Sequence, residues 1–218
     1  MPDGPVELNP RRTPLYVFAR GLVGGVGRLL FRPSIVGREN IPSTGPVLIA
    51  PTHRSNVDFA FTIYMTRRKV FFMAKDGLFK VPVFGTVLRH LGAFPVDRDA
   101  TDRASMRLAE EVLARGEALV LYPEGTRKFG MTFEPLHDGA MFVAARAHAL
   151  VVPVAVGGSE AAMPHGAKMV RPSKVTIVIG EPIAPPQFEG RLPRSAVTAK
   201  SEELRAALEA LYARAMGA

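Results

Sequence analysis

The stretch PTHRSNVDFAF, residues 51–61, sets a histidine, a hydroxyl, an amide and a carboxylate between two apolar runs. A histidine held by a carboxylate makes a general base, because the carboxylate fixes the tautomer and stabilises the imidazolium. His53 and Asp58 stand five positions apart, which on a regular helix would turn them about 140° from each other. They meet only if the chain bends between them. A strand ending at Thr52 and a helix starting near Ser55 or Asn56, both good N-cap residues, would provide that bend. Two further clusters, DRD at 97–99 and YPEGTRK at 122–128, bring Arg98 and Arg127, whose planar donor forks suit a phosphate. Gly125 would let the backbone come close to a ligand. Glu124 can orient an arginine or bind a substrate hydroxyl, and Lys75, at the end of VFFMAK, adds a cation. Each piece alone is weak: a surface carboxylate satisfies many histidines, DRD is usually a solvated turn, and a lone PEGTR can be an ordinary loop.

The elements that must position these groups are legible from apolar periodicity. Strands are expected at Ser34–Val36, Val47–Ala50, Val70–Met73, Ala93–Val96, Ala118–Leu121, Val151–Val156 and Val175–Ile179. Helices are expected at Asp58–Thr66, Val83–Leu91, Asp102–Arg115, Gly139–Ala147 and Ala199–Met216. Such alternation indicates a single α/β domain whose helices flank a mostly parallel or mixed central sheet. The three clusters each follow a strand directly, and ligands in open α/β sheets bind at the carboxyl ends of strands. They can therefore line one site.

Ahead of this domain, residues 1–13 read as an irregular lead-in. From Leu15 to Leu29 an amphipathic helix is expected, with Leu15, Phe18, Leu22, Val26 and Leu29 on one stripe and Arg20 and Arg28 on the other side. Gly21, Gly24, Gly25 and Gly27 weaken it by roughly 1 kcal/mol each relative to alanine. Such a helix needs a surface to lie on, either the domain's own core or a membrane. GLVGGVG has no preceding strand and no following GK[ST], so a phosphate loop is discounted. The division expected is thus 1–32, lead-in and membrane-associating helix, and 33–218, the catalytic domain.

The totals exclude several classes. With no cysteine there is no disulfide framework, thiol nucleophile or thiolate metal site. His53, His90, His137, His148 and His165 show no close ligand spacing, so no metal is expected, and no cofactor. Lys and Arg number 28 against 20 acids, a formal +8 that points to an anionic partner. The arginines lack the interleaved aromatics of a recognition module, which argues against nucleic acid. No uninterrupted run approaches the ~18 apolar residues of a membrane span, and Arg20 and Arg28 interrupt the order of a secretory signal. Peripheral attachment at the cytoplasmic face of an anionic membrane is the expected location.

Taken together, HRSNVD, GAFPVDR, YPEGTR and VVPVAV resemble, in order and spacing, the four blocks of the glycerolphosphate and 1-acylglycerol-3-phosphate acyltransferase family. VGRENIPSTGPVLIAPTH and MAKDGLFKVPVFG are similar to its connecting segments, so the resemblance runs from about Gly37 to Pro182. It implies acyl transfer from acyl-CoA or acyl carrier protein to a hydroxyl of a lysophospholipid acceptor, with 1-acylglycerol 3-phosphate leading. It further implies that His53 is the base and Asp58 its partner. Lys75, Arg98, Glu124, Gly125, Thr126 and Arg127 would bind the acceptor, and Pro153 of the fourth block would be structural. Two departures stand out: Thr52 where members often have Asn, and LHDG at 136–139 where many have FK.G, so that His137 or Asp138 replaces a lysine. On the residues alone, a hydrolase using the same pair on a lipid thioester and a non-catalytic membrane-binding domain remain open. So do other acceptors, such as a glycolipid headgroup.

Overall fold

The computed structural model describes residues 12–96, 103–164, 166, 167 and 169–217. Helix α1 (Pro14–Phe31) leads into β1 (Ser34–Val36), β2 (Val47–Pro51), α2 (Asp58–Met65), β3 (Val70–Lys75), α3 (Pro82–His90) and β4 (Ala93–Val96). There follow α4 (Arg103–Ala114), β5 (Ala118–Val120), α5 (Gly139–Arg146), β6 (Leu150–Gly157), α6 (Ser159–Ala162), β7 (Thr176–Ile179) and α7 (Arg194–Met216). The strands form one sheet in the order β1-β7-β6-β2-β5-β3-β4. Strands β2 to β6 all run parallel, β7 lies antiparallel to β6, and β1 runs with β7. The sheet is mixed, and five carboxyl ends meet at one edge.

Strands covered on both faces have no solvent side, which is why they read as continuous apolar runs. Within β2, Leu48 and Ala50 face the layer built by α4, α5 and α7, where they join Leu113, Met141 and Leu208. Val47 and Ile49 face the other way and join Phe31 of α1 and Phe61 of α2. All seven strands lie where apolar runs place them. Helix α7 begins at Arg194, ahead of the expected Ala199, with Pro193 at its N-cap. Val197 is buried like Leu204, but the buried Ser201 interrupts the apolar period between them, so hydropathy does not mark the start.

The orientation of α1 inverts the usual rule. Its expected apolar stripe faces away from the core: Phe18 is 69% exposed and Leu29 81%. Arg20 turns inward and donates to the carbonyls of Ile63 and Thr66 at the end of α2. The domain's own core therefore does not cover the stripe. The glycines have a packing role as well as a propensity cost. Tyr64 donates its hydroxyl to the Gly24 carbonyl at 2.6 Å, and a Cβ on Gly27 would lie 2.5 Å from that hydroxyl. Over its 18 residues α1 has a mean hydropathy of 1.2, enough in length and composition to cross a membrane despite its two arginines. The two arginines interrupt the apolar run, as the sequence indicates; it is the helix as a whole that reaches this length and hydropathy.

Candidate active site

Strands β2 and β5 are neighbours, so the segments leaving their carboxyl ends lie side by side. After β2 the chain turns and α2 opens at Asp58. The N-cap is Val57 and makes no side-chain cap bond, so neither Ser55 nor Asn56 caps the helix as expected. Asp58 itself folds back instead. Its Oδ2 accepts the backbone N–H groups of Arg54 and Ser55, each at 2.7 Å, and meets His53 Nδ1 at 3.0 Å. An oxygen already accepting two amides is an acceptor for the ring as well, so Nδ1 carries the proton and Nε2 keeps its lone pair. Ser55 donates its hydroxyl to the Met163 carbonyl at 3.0 Å. The bend needed to join His53 and Asp58 thus exists, and the carboxylate organises it.

The segment after β5 grips the same turn. Glu124 accepts the His53 backbone N–H through Oε1 at 2.9 Å and pairs through Oε2 with the Arg54 guanidinium. It therefore orients an arginine, one of the two roles expected of it, but the arginine is its neighbour across the turn. Arg54 is buried, its guanidinium 4.5 Å from the Phe133 ring centre and 5.0 Å from that of Tyr212. A delocalised, weakly hydrated guanidinium tolerates such an aromatic seat. Lys128 N–H donates to the His53 carbonyl at 2.9 Å. Tyr122 stacks on the His53 ring, centroids 4.2 Å apart and planes 27° off parallel. Burial, with the Asp58 charge second, pushes the Tyr122 phenol well above its ordinary value, so it stays neutral at physiological pH.

His53 opens onto a cavity of about 230 Å³ whose walls include Met73, Met106, Leu121, Tyr122 and His137. Gly125 adopts φ +69°, and a Cβ there would come within 2.6 Å of the His137 ring. The close approach expected of this glycine is to His137, within the chain. Of the two residues replacing the family's lysine, His137 reaches the cavity, while Asp138 accepts the Thr198 hydroxyl at 2.9 Å. Lys75 ends β3, exposed, at the same sheet edge; Thr126 is exposed and Arg127 half-buried on the loop after β5. Arg98 lies outside the described residues, as does the start of the helix expected from Asp102. Arg54, Tyr122 and His137 belong to the site although none was singled out for it. Only His137 carried a signal, as the substitution in LHDG.

The Acyltransferase family model matches residues 32–157, well over half of the chain. A 1-acyl-sn-glycerol-3-phosphate acyltransferase of Chlamydomonas reinhardtii is 31% identical over 71% of this chain and 48% of its own length, so the chain spans about half of that relative. One of Bacillus subtilis is 29% identical over 90% of this chain and 96% of its own. The 1-acyl-sn-glycerophosphate (LPA) acyltransferase PlsC of Thermotoga maritima has the same fold, with TM-score 0.68 and 23% identity over 92% of this chain and 83% of that one. With a histidine–aspartate pair at the carboxyl edge of this sheet and a match across the segments that build it, the chain belongs to the acyltransferase family.

Proposed function

We propose that the protein transfers a fatty acyl group from a thioester, acyl-CoA or acyl carrier protein, to the free hydroxyl of 1-acylglycerol 3-phosphate, giving phosphatidic acid. What carries this reading is the 3.0 Å contact of His53 Nδ1 with Asp58 Oδ2, which leaves Nε2 as a base beside an apolar cavity. The relatives' names supply the acceptor. In the reaction, Nε2 takes the hydroxyl proton as that oxygen attacks the thioester carbonyl. The carbonyl–sulfur bond then breaks and the proton returns to the leaving thiolate. Asp58 holds the ring and stabilises the imidazolium in between. No enzyme nucleophile takes part.

Lys75, Thr126, Arg127 and Arg98 are the acceptor-binding groups in this proposal, with the cations on the phosphate. Binding energy at the phosphate then positions the hydroxyl without touching the reacting atoms. Glu124 and Gly125 support the same loop from within. The catalytic domain comprises 33–218, and α1 lays its exposed stripe into the cytoplasmic face of an anionic membrane, aided by the chain's +8.

Free thiol release from acyl-CoA, with and without 1-acylglycerol 3-phosphate, tests the reading in wild type and His53→Ala. Release that needs the acceptor and falls by at least about 10²-fold in the variant is expected. Release without acceptor would make the protein a thioesterase, and release indifferent to His53 would remove the base.

A further inference from the structure

A second, larger cavity of about 520 Å³ lies outside the machinery described so far, between α5 and the segment that precedes α7. Its walls carry three arginines, Arg146 from α5 and Arg191 and Arg194 from the α7 side, against one acid, Asp138. Asp138 is engaged by Thr198, and Arg146 by Glu110 at 3.1 Å. The side chains of Arg191 and Arg194 are exposed and form no ion pair or hydrogen bond among the described residues. Two aromatic rings, Phe142 and Phe188, share the cavity with them. Guanidinium forks bind phosphate bidentately, and aromatic faces take a planar base. The first turn of α7 opens here without a side-chain cap or an acidic residue, which adds to the positive field.

The position matters as much as the chemistry. Gly139 lines both this cavity and the one beside His53. Asp138, Phe142 and Arg146 recur every four residues along one face of α5, and the rise from Gly139 to Arg146 is about 10 Å. A ligand with its thioester at His53 and a flexible arm over Gly139 would therefore carry its far end onto the arginines. Lys75 and Arg127 come from β3 and the loop after β5, so the acceptor's cations belong to other elements.

We propose that this cleft binds the phosphorylated nucleotide end of acyl-coenzyme A. The inference rests on the acyl-transfer reading and selects its donor. A concave cavity combining arginines and rings fits a small nucleotide, whereas the flat acidic face of a carrier protein would need an open basic surface.

Binding of coenzyme A itself to the full chain, read by calorimetry without turnover, provides the test. Wild type binds coenzyme A, and Arg191→Gln with Arg194→Gln weakens it roughly 10- to 100-fold. Pantetheine, which lacks the nucleotide, binds far more weakly to both proteins. The paired Lys substitutions recover part of the affinity, and because both positions are exposed the melting temperature stays near wild type. In turnover, the ratio of kcat/KM for acyl-CoA to that for S-acyl-pantetheine falls by about the same factor. Equal coenzyme A affinity in wild type and the Gln variant would overturn the site. So would transfer from acyl carrier protein with no coenzyme A binding at all. Arginine-dependent coenzyme A binding without transfer to any acceptor would leave the site standing and reject the acyl-transfer reading instead.

Discussion

His53 is held by more than its aspartate. Its side chain is fixed through Nδ1, its backbone N–H by Glu124 and its carbonyl by the Lys128 amide. Glu124 is in turn fixed by Arg54, whose side chain has 0% exposure against 3% for the glutamate. A buried ion pair of this kind contributes little by itself, but breaking one side leaves an uncompensated charge. Glu124→Gln is therefore expected to destabilise the fold by about 3–5 kcal/mol, read as a lower urea midpoint. Adding Arg54→Met should recover part of that loss, because a thioether fills the seat between Phe133 and Tyr212 without a charge. A wild-type midpoint in Glu124→Gln would show that the pair does not hold the turn. His53 and Asp58 were legible in the sequence because their spacing makes sense only around a bend. Arg54 was not, since an arginine beside a candidate base reads as a surface or phosphate group. The rings that bury it lie 79 and 158 positions downstream, at Phe133 and Tyr212.

Elements were legible where burial is two-sided and ambiguous where it is one-sided. The parallel strands must be apolar on both faces, so their runs stand out whatever their partners. Helix boundaries depended on features that hydropathy does not report: α2 opens without a side-chain cap while Asp58 holds the turn ahead of it, and the buried Ser201 interrupts the apolar period at the start of α7. For α1 the period was visible, but the side facing the domain was not. A stripe such as Leu22, Val26 and Leu29 looks like a core face until Arg20 is seen bonding to α2. This yields a separable pair of variants. Phe18→Glu with Leu29→Glu should reduce co-sedimentation with anionic vesicles by about tenfold or more. It should leave the melting temperature within a few degrees, since both side chains are exposed. Gly27→Leu should do the opposite and lower stability, because its side chain would enter the space of the Tyr64 hydroxyl. Unchanged vesicle binding in the double Glu variant would take α1 out of membrane attachment.

At the scale of the whole molecule, strand order was the least legible feature. Neighbours such as β2 and β5, or β1 and β7, are joined by registers between segments far apart in the chain, and nothing local encodes them. The same burial that sets this order leaves a titratable signature. Burial raises the phenols of Tyr64, Tyr122 and Tyr212 above the ordinary 10.0, most strongly for Tyr122. A phenol with a raised folded-state value holds its proton more tightly when folded. Its contribution is complete below about pH 10 and is lost as pH rises through the folded value. Lys69 works in the other direction: burial lowers its ammonium value, so stability gains from it as pH rises towards the ordinary 10.5. The wild-type slope mixes these opposing contributions, but a single substitution isolates one phenol. Tyr122→Phe keeps the ring that stacks on His53 and removes the titrating group. Urea unfolding between about pH 9 and 11.5 should show wild type losing up to about 1.4 kcal/mol per pH unit more than Tyr122→Phe above pH 10. Parallel stability curves for the two proteins would mean that water reaches the Tyr122 hydroxyl, and that the His53 ring is not stacked against a dry wall.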